Sequence, residues 1–214
     1  RISDVLENMI IDPKKSSFQE NHKIMIGSIL PRPIALVSTI SLDGKNNLAP
    51  FSYFNGVCSN PPSIMFAPSR RGYDGKTKDT LNNIESTKEF VINIVSEDFA
   101  TQMVSCSTDY EPDVDEFSIS DLTPIKSVKI ESSRVKEARI SYECKLQKII
   151  PVGNSGPGGG FVVIGTIVLF HIDDELYDDG HINIQKLNPI GRLAGNNYTR
   201  VHDTLEIKRK IKPD

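Results

Sequence analysis

Two β-branched stretches, residues 139–152 and 161–173, flank the octapeptide Gly153-Asn154-Ser155-Gly156-Pro157-Gly158-Gly159-Gly160. This arrangement constrains the fold more than anything else in the chain. Parallel strands need a crossover of about a dozen residues or more, whereas this short glycine-rich connection is a flexible turn, so the two stretches are expected to pair antiparallel. The octapeptide does not make a dinucleotide-binding loop. The last glycine of a Gly-x-Gly-x-x-Gly fingerprint would fall on Phe161, and a strand follows where a helix is required.

A second hairpin is predicted upstream. Residues 33–41 are apolar and β-branched and end at Leu42-Asp43-Gly44-Lys45, and Asp-Gly between apolar runs is a strong hairpin signal. The returning arm, residues 46–54, contains Pro50, which has no ladder donor. It is therefore expected at a strand end, a bulge or an edge, where backbone groups stay open to a ligand. Further strands are expected over residues 63–67, 89–95 and 128–131, and helices over residues 78–87 and 97–107. Residues 108–124 are acidic and rich in turn formers and read as a surface excursion. Six or more strands joined by hairpins, with few helices, predict a mainly β fold with peripheral helices, an antiparallel β-barrel. The 214 residues fit a single domain, 1–214.

Several function classes are excluded by composition and spacing. A net charge of -3 provides no global basic field for nucleic acid or an anionic membrane surface, so neither is expected as a partner. The longest apolar run, residues 161–170, is about half the ~20 residues that span a bilayer, and no leader pattern opens the sequence, so a cytoplasmic location is expected. Cys58, Cys106 and Cys144 are odd in number and widely spaced, and are expected to be reduced, semi-buried thiols. The four histidines include no pair at metal-ligand spacing, and no metal site is predicted. Neither Gly-x-Ser-x-Gly nor a phosphate-binding P-loop occurs.

Chemistry concentrates in residues 69–80, where Ser69, Arg70, Arg71, Lys76, Thr77, Lys78 and Thr80 gather cations and hydroxyls just before a predicted helix. The first turn of a helix presents unpaired N–H groups at the positive end of its dipole. A phosphate dianion could be held there by charge-assisted hydrogen bonds from Arg70, Lys78 and Thr80, although a solvated loop with Thr77 or Asp79 as helix cap fits the same residues. Asp79 is expected to cap the helix, because a bare carboxylate would repel a phosphate. His171, at the end of an apolar strand, is expected to be a hydrogen-bonded structural histidine.

Five motifs in order resemble the flavin reductase-like family of FMN-binding split barrels, of the flavoredoxin type. They are Arg32-Pro33 through Ser38-Thr39, Asp43-Gly44, Asn47 through Phe54, Ser59-Asn60-Pro61-Pro62, and Lys78-Asp79-Thr80-Leu81-Asn82-Asn83-Ile84. Residues 165–174 and 189–198 resemble the family's late barrel strand and its C-terminal Gly/Tyr segment, so the likeness covers about residues 24–198. The resemblance implies an antiparallel FMN-binding split β-barrel. It implies that Ser38, Thr39 and the strand carrying Asn47, Ala49, Pro50, Phe51 and Ser52 flank the isoalloxazine ring, and that Ser69, Arg70, Lys78 and Thr80 hold ribityl and phosphate. Asp79 belongs to the same segment. It further implies a homodimer with flavin near the interface, where Arg192, Gly195 and Tyr198 complete the site from either chain. The implied activity is that of an FMN-binding oxidoreductase taking electrons from NADH or NADPH and passing them to free flavin or to small acceptors such as ferric complexes. A non-enzymatic FMN-binding electron carrier serving a protein partner shares the same motifs.

Overall fold

In the computed structural model, which describes residues 8–108, 110–111 and 114–209, the glycine-rich octapeptide joins the two longest strands of one antiparallel sheet. In chain order the first elements are α1 (Phe18–Ser28), β1 (Ala35–Ile40), β2 (Asn46–Phe51), β3 (Phe54–Ser59), β4 (Pro62–Phe66), α2 (Asp79–Thr87) and β5 (Glu89–Ile94). Next come α3 (Ala100–Ser105), α4 (Glu116–Ser120), β6 (Pro124–Ile125), β7 (Arg134–Val135), β8 (Ile140–Val152) and β9 (Gly160–Ile172). The chain closes with β10 (Tyr177–Asp178), β11 (His181–Ile182), α5 (Ile184–Leu187), β12 (Ile190–Arg192) and β13 (Tyr198–Arg200). Seven strands form the main sheet in the order β2-β1-β5-β8-β9-β4-β3, every neighbouring pair antiparallel.

Strand periodicity sorts side chains between two cores. On one face Ala35, Val37, Phe51, Phe66, Phe90, Ile92 and Val163 meet Leu81 and Ile84 from α2, with the Phe66 and Phe90 rings edge to face at 5.5 Å. On the other face Leu36 and Leu48 meet Phe99, Met103, Phe117 and Val135. Gly165 is fixed by this packing, because a Cβ there would lie 2.4 Å from Cζ of Phe90. Pro50 sits in β2, an edge of the sheet, as its missing donor requires.

Three sequence expectations need correction. The returning arm ends at Phe51 and, after residues 52–53, a new strand β3 begins; β3 is exposed along nearly its whole length and so carries no apolar alternation to reveal it. Residues 128–131 are bends instead of a strand. Their amides turn to buried carboxylates: Glu143 accepts from Val128 and Lys129 N–H, both at 2.7 Å, and Glu89 accepts from Glu131 N–H at 2.6 Å. Residues 108–124 are more than an excursion, since α4 buries Glu116, Phe117 and Ser120 against β2 and α3; residues 109, 112 and 113 of this stretch lie outside the described residues. The basic tail is exposed through Arg209 and continues outside the described residues.

Helix α1 goes unanticipated by periodicity because none of its residues is buried. Its start is nevertheless written in the sequence as a capping box: Ser17 accepts from Glu20 N–H, and the Glu20 carboxylate accepts from Ser17 N–H at 2.8 Å. Among the described residues no helix is long and apolar enough to cross a membrane.

Candidate functional site

The C-terminal end of β2 and the N-terminus of α2 border one groove with two hollows. The larger, about 250 Å³, lies between α1, the bend after β2 and the segment after β12, and is lined by His22, Arg32, Ser52, Ser69 and Arg192 among others. The smaller, about 50 Å³, includes Asn47, Ala49, Arg71, Asp79, Thr80 and Glu116. Pro50, Phe51 and Lys78 belong to both and form the floor between them.

Arg32 builds the wall of the larger hollow. It is buried, and its guanidinium donates to the carbonyls of Ile26 and Ile29, both at 2.8 Å, to Leu193 O at 3.0 Å and to Ser52 Oγ at 3.3 Å. One side chain thus ties the end of α1, the bend after β2 and the segment after β12 together, and burial pulls its pKa down. Arg192 stands beside it, stacked on Tyr198 with 4.5 Å from guanidinium carbon to ring centre. Tyr198 therefore acts behind Arg192. Ser69 is held in place by bridging to Gly160, with Phe161 N–H donating to Pro68 O and Arg70 N–H to Gly159 O. The glycine-rich hairpin loop braces the site from below.

At the smaller hollow, α2 begins at Asp79 with Lys78 as its N-cap residue, a side chain with no acceptor to offer the helix. Asp79 is thus the first helical residue and not the cap that the sequence suggests. Its carboxylate accepts from Arg71 at 3.0 Å, which leaves an arginine, a lysine and a helix N-terminus around one point. Beneath them Asn47 Nδ2 donates to Thr80 Oγ1 at 2.9 Å and to Thr39 Oγ1 at 3.3 Å, while Asn83 Nδ2 donates to Thr39 Oγ1 at 3.1 Å. This buried network locks the start of α2 to β1 and β2.

The expected residues therefore divide. Asn47, Ala49, Pro50, Phe51, Ser52, Ser69, Lys78, Asp79, Thr80 and Arg192 line the groove. Ser38 and Thr39 do not line it. Ser38 is on the opposite face of β1, donating to Ser133 O and accepting from Asn93 Nδ2, and Thr39 is fully buried under α2. Arg70 does not line it either: it donates to Gly75 O at 3.1 Å and stacks on Phe161, 4.8 Å from the ring centre. Its neighbour Arg71 takes the position at the groove.

Two further groups border the smaller hollow without having been expected. Glu116 is buried and accepts from Leu48 N–H at 3.1 Å; burial first, and the Asp115 and Asp79 carboxylates after it, push its pKa above the usual carboxylate range. Burial likewise pushes the Cys106 thiol to about 11, so it is no activated nucleophile. Of the other thiols, Cys144 is buried and Cys58 is exposed. His171 is hydrogen-bonded, its Nε2 lying 2.6 Å from Glu143 Oε1.

The lining of this groove is chemically suited to an organic ligand that carries an anionic group. Cations and a helix N-terminus face one end, and apolar Phe51, Pro50 and Ala49 with hydroxyl and guanidinium donors face the rest. The fold around it is a split barrel: a split barrel domain protein from Shewanella frigidimarina NCIMB 400 superposes with a TM-score of 0.80, at 23% identity over 95% of this chain and all of that one. The flavin reductase like domain model matches residues 26–186, and the chain belongs to that family. It is similar to nitrilotriacetate monooxygenase component B from Bacillus cereus, with a TM-score of 0.89, 37% identity, and 94% of this chain and 98% of that chain covered. It is also similar to 2-nitrobenzoate 2-nitroreductase from Pseudomonas fluorescens, with a TM-score of 0.83, 32% identity, and 94% and 96% covered.

Proposed function

We propose that the protein is an NAD(P)H-dependent flavin reductase that holds FMN in the groove, with the phosphate against Arg71, Lys78 and the N-terminus of α2. The observation that carries this reading is the junction at Lys78, where the cationic start of α2 borders a hollow lined by Ser52, Ser69, Arg32 and Arg192. Asp79, paired with Arg71, does not oppose the phosphate as a bare carboxylate would. The β2 edge at residues 49–52 would supply backbone groups to the ring, and Ser69 would meet the ribityl chain. A bound flavin supplies hydride acceptance and electron transfer, and the protein's share is orientation, exclusion of water and tuning. That division suits a groove whose polar residues are donors and positioners. The names of two of the structural relatives denote redox proteins, one a monooxygenase component and one a nitroreductase. Oxidation of NADH or NADPH, followed at 340 nm with free FMN or a ferric complex as acceptor, tests the activity. Turnover with either nucleotide supports it; FMN binding without nucleotide oxidation would mark an electron carrier instead.

The same reading includes a homodimer. Helix α1 buries none of its residues, and Ile24, Met25, Ile29 and Leu30 are 44–50% exposed along it and just past its end. Because His22 and Ile26 of this helix line the larger hollow, a second copy laid on α1 would close the groove. Light scattering should give twice 23.8 kDa. Met25→Lys, which keeps a residue suited to the last turn of a helix, should return the mass toward one chain and weaken FMN by about tenfold. A single-chain mass for the unaltered protein contradicts the dimer.

A further inference from the structure

We infer that the outer groove between the ends of the β8–β9 hairpin and the β10–β11 hairpin is a receptor for the C-terminal tail, Leu205 to Arg209 and beyond, of a second copy of this chain. The groove lies at the opposite end of β8 and β9 from their glycine loop, at the Ile140–Ile172 register pair. Its volume is about 580 Å³. The floor is apolar and partly exposed, with Phe170 at 48%, Tyr177 at 54% and Ile182 at 38%, and Tyr142 packs edge to face on Phe170 at 5.2 Å. Solvent-facing aromatic and branched residues gathered in one hollow are unlike single exposed apolar residues scattered on a surface.

The rim is acidic. Asp174 lines the groove, and Glu175, Asp178 and Asp179 are exposed around it, with Asp173 close by. Arg139 reaches the Asp173 and Glu175 carboxylates, and Lys186 reaches the backbone carbonyl of Glu175, so Asp174, Asp178 and Asp179 carry the rim's negative charge. The occupant that this chemistry fits is a short basic segment with apolar side chains at alternate positions.

The chain itself carries one. From Thr204 the sequence reads Leu205-Glu206-Ile207-Lys208-Arg209 and continues Lys210-Ile211-Lys212, so an extended conformation would put Leu205, Ile207 and Ile211 on one face with Arg209 between them, and the lysines with Glu206 on the other. Residues 201–209 form no regular element, and Leu205 and Ile207 are 82% and 80% exposed. Among the described residues, Leu205 and Ile207 of the tail and the floor of the groove are thus both uncovered. Apolar tail residues left uncovered by the described residues, and a groove of opposite charge that none of those residues fills, are the two halves of an arm exchange between copies. The exchange leaves the flavin groove untouched and is independent of the dimer proposed through α1.

The test is fluorescence anisotropy of a labelled peptide of residues 203–214 titrated with the protein. Saturable binding is expected, weakened about tenfold or more when the protein carries Phe170→Asp or the peptide carries Leu205→Asp with Ile207→Asp, and weakened by added salt. No binding, or equal binding to unaltered and Phe170→Asp protein, overturns the assignment. A second measurement identifies whose tail is bound. With Cys58→Ser throughout, a tagged chain carrying Leu205→Cys should form a disulfide under oxidation with an untagged chain carrying Tyr177→Cys. If a chain carrying both substitutions links only to itself, the tail serves its own groove and the second-copy assignment fails.

Discussion

Replacing both Arg71 and Lys78 by alanine should weaken FMN binding by about 100-fold or more and leave riboflavin binding within about threefold. A hydrogen bond to a charged group contributes about 1.5 to 3 kcal/mol, so two such contacts to a phosphate dianion sum to roughly 3 to 6 kcal/mol before any coupling between neighbours is subtracted. Removing Arg71 adds a second penalty of the same sign, because Asp79 loses its partner and turns an uncompensated carboxylate toward the phosphate. Riboflavin has no phosphate and feels neither effect. Arg209→Ala, which removes a cation from the exposed tail, should leave FMN affinity within about threefold and serves as the charge control. Equal losses for FMN and riboflavin would mean that these residues act through the fold of α2, and the phosphate would have to be placed elsewhere.

The second large effect is on stability. Glu143 is fully buried, and its carboxylate accepts from two backbone N–H groups at 2.7 Å each and lies 2.6 Å from His171 Nε2. Glu143→Ala leaves those partners uncompensated in the interior, which costs about 3 to 5 kcal/mol and should lower Tm by roughly 6 to 20 °C for a chain of this size. Burial alone would raise the carboxyl's pKa, but the Val128 N–H, His171 and the Lys129 N–H together hold it below its ordinary value. The folded state therefore favours the ionised form. The stabilisation is fully present above the unfolded carboxylate pKa and is lost as pH falls through the lower folded value, so the alanine variant should show a flatter acid limb in a melting series. A melt within about 2 °C of the unaltered protein at neutral pH would show that Glu89, which accepts from Glu131 and Ser132 N–H, suffices to hold the loop at residues 128–133 without Glu143.

What the sequence made legible, and what it hid, follows from the range of each interaction. The paired long strands, the Asp43-Gly44 turn and the placement of Pro50 on an edge are local matters of period, turn chemistry and a missing donor, and each reads directly from a few adjacent residues. The gathering of cations and hydroxyls at the start of one helix was legible for the same reason, since these residues are close neighbours in sequence. Which of Arg70 and Arg71 faces the groove was not. Adjacent residues on an irregular loop have no period to separate them, and the choice is made by Phe161 and Gly75 O, which draw Arg70 away. Ser38 and Thr39 lay in a motif that resembles the family's flavin strand, but the alternation of β1 sends one to Ser133 and Asn93 and buries the other beneath α2. Glu116 was hidden inside an acidic stretch of turn formers, where nothing local distinguishes the one carboxylate that reaches back to Leu48 N–H. Arg32 was visible only as part of a motif, because its partners lie on α1, on the bend after β2 and 161 positions downstream at Leu193.

The central claim is that this groove binds FMN. Titrating FMN with the unaltered protein and following flavin fluorescence tests it directly. Saturable quenching of FMN, with riboflavin bound more weakly in a parallel titration, is the predicted result. No change in fluorescence with about 100 µM protein would place the affinity weaker than about -5.5 kcal/mol and contradict the account.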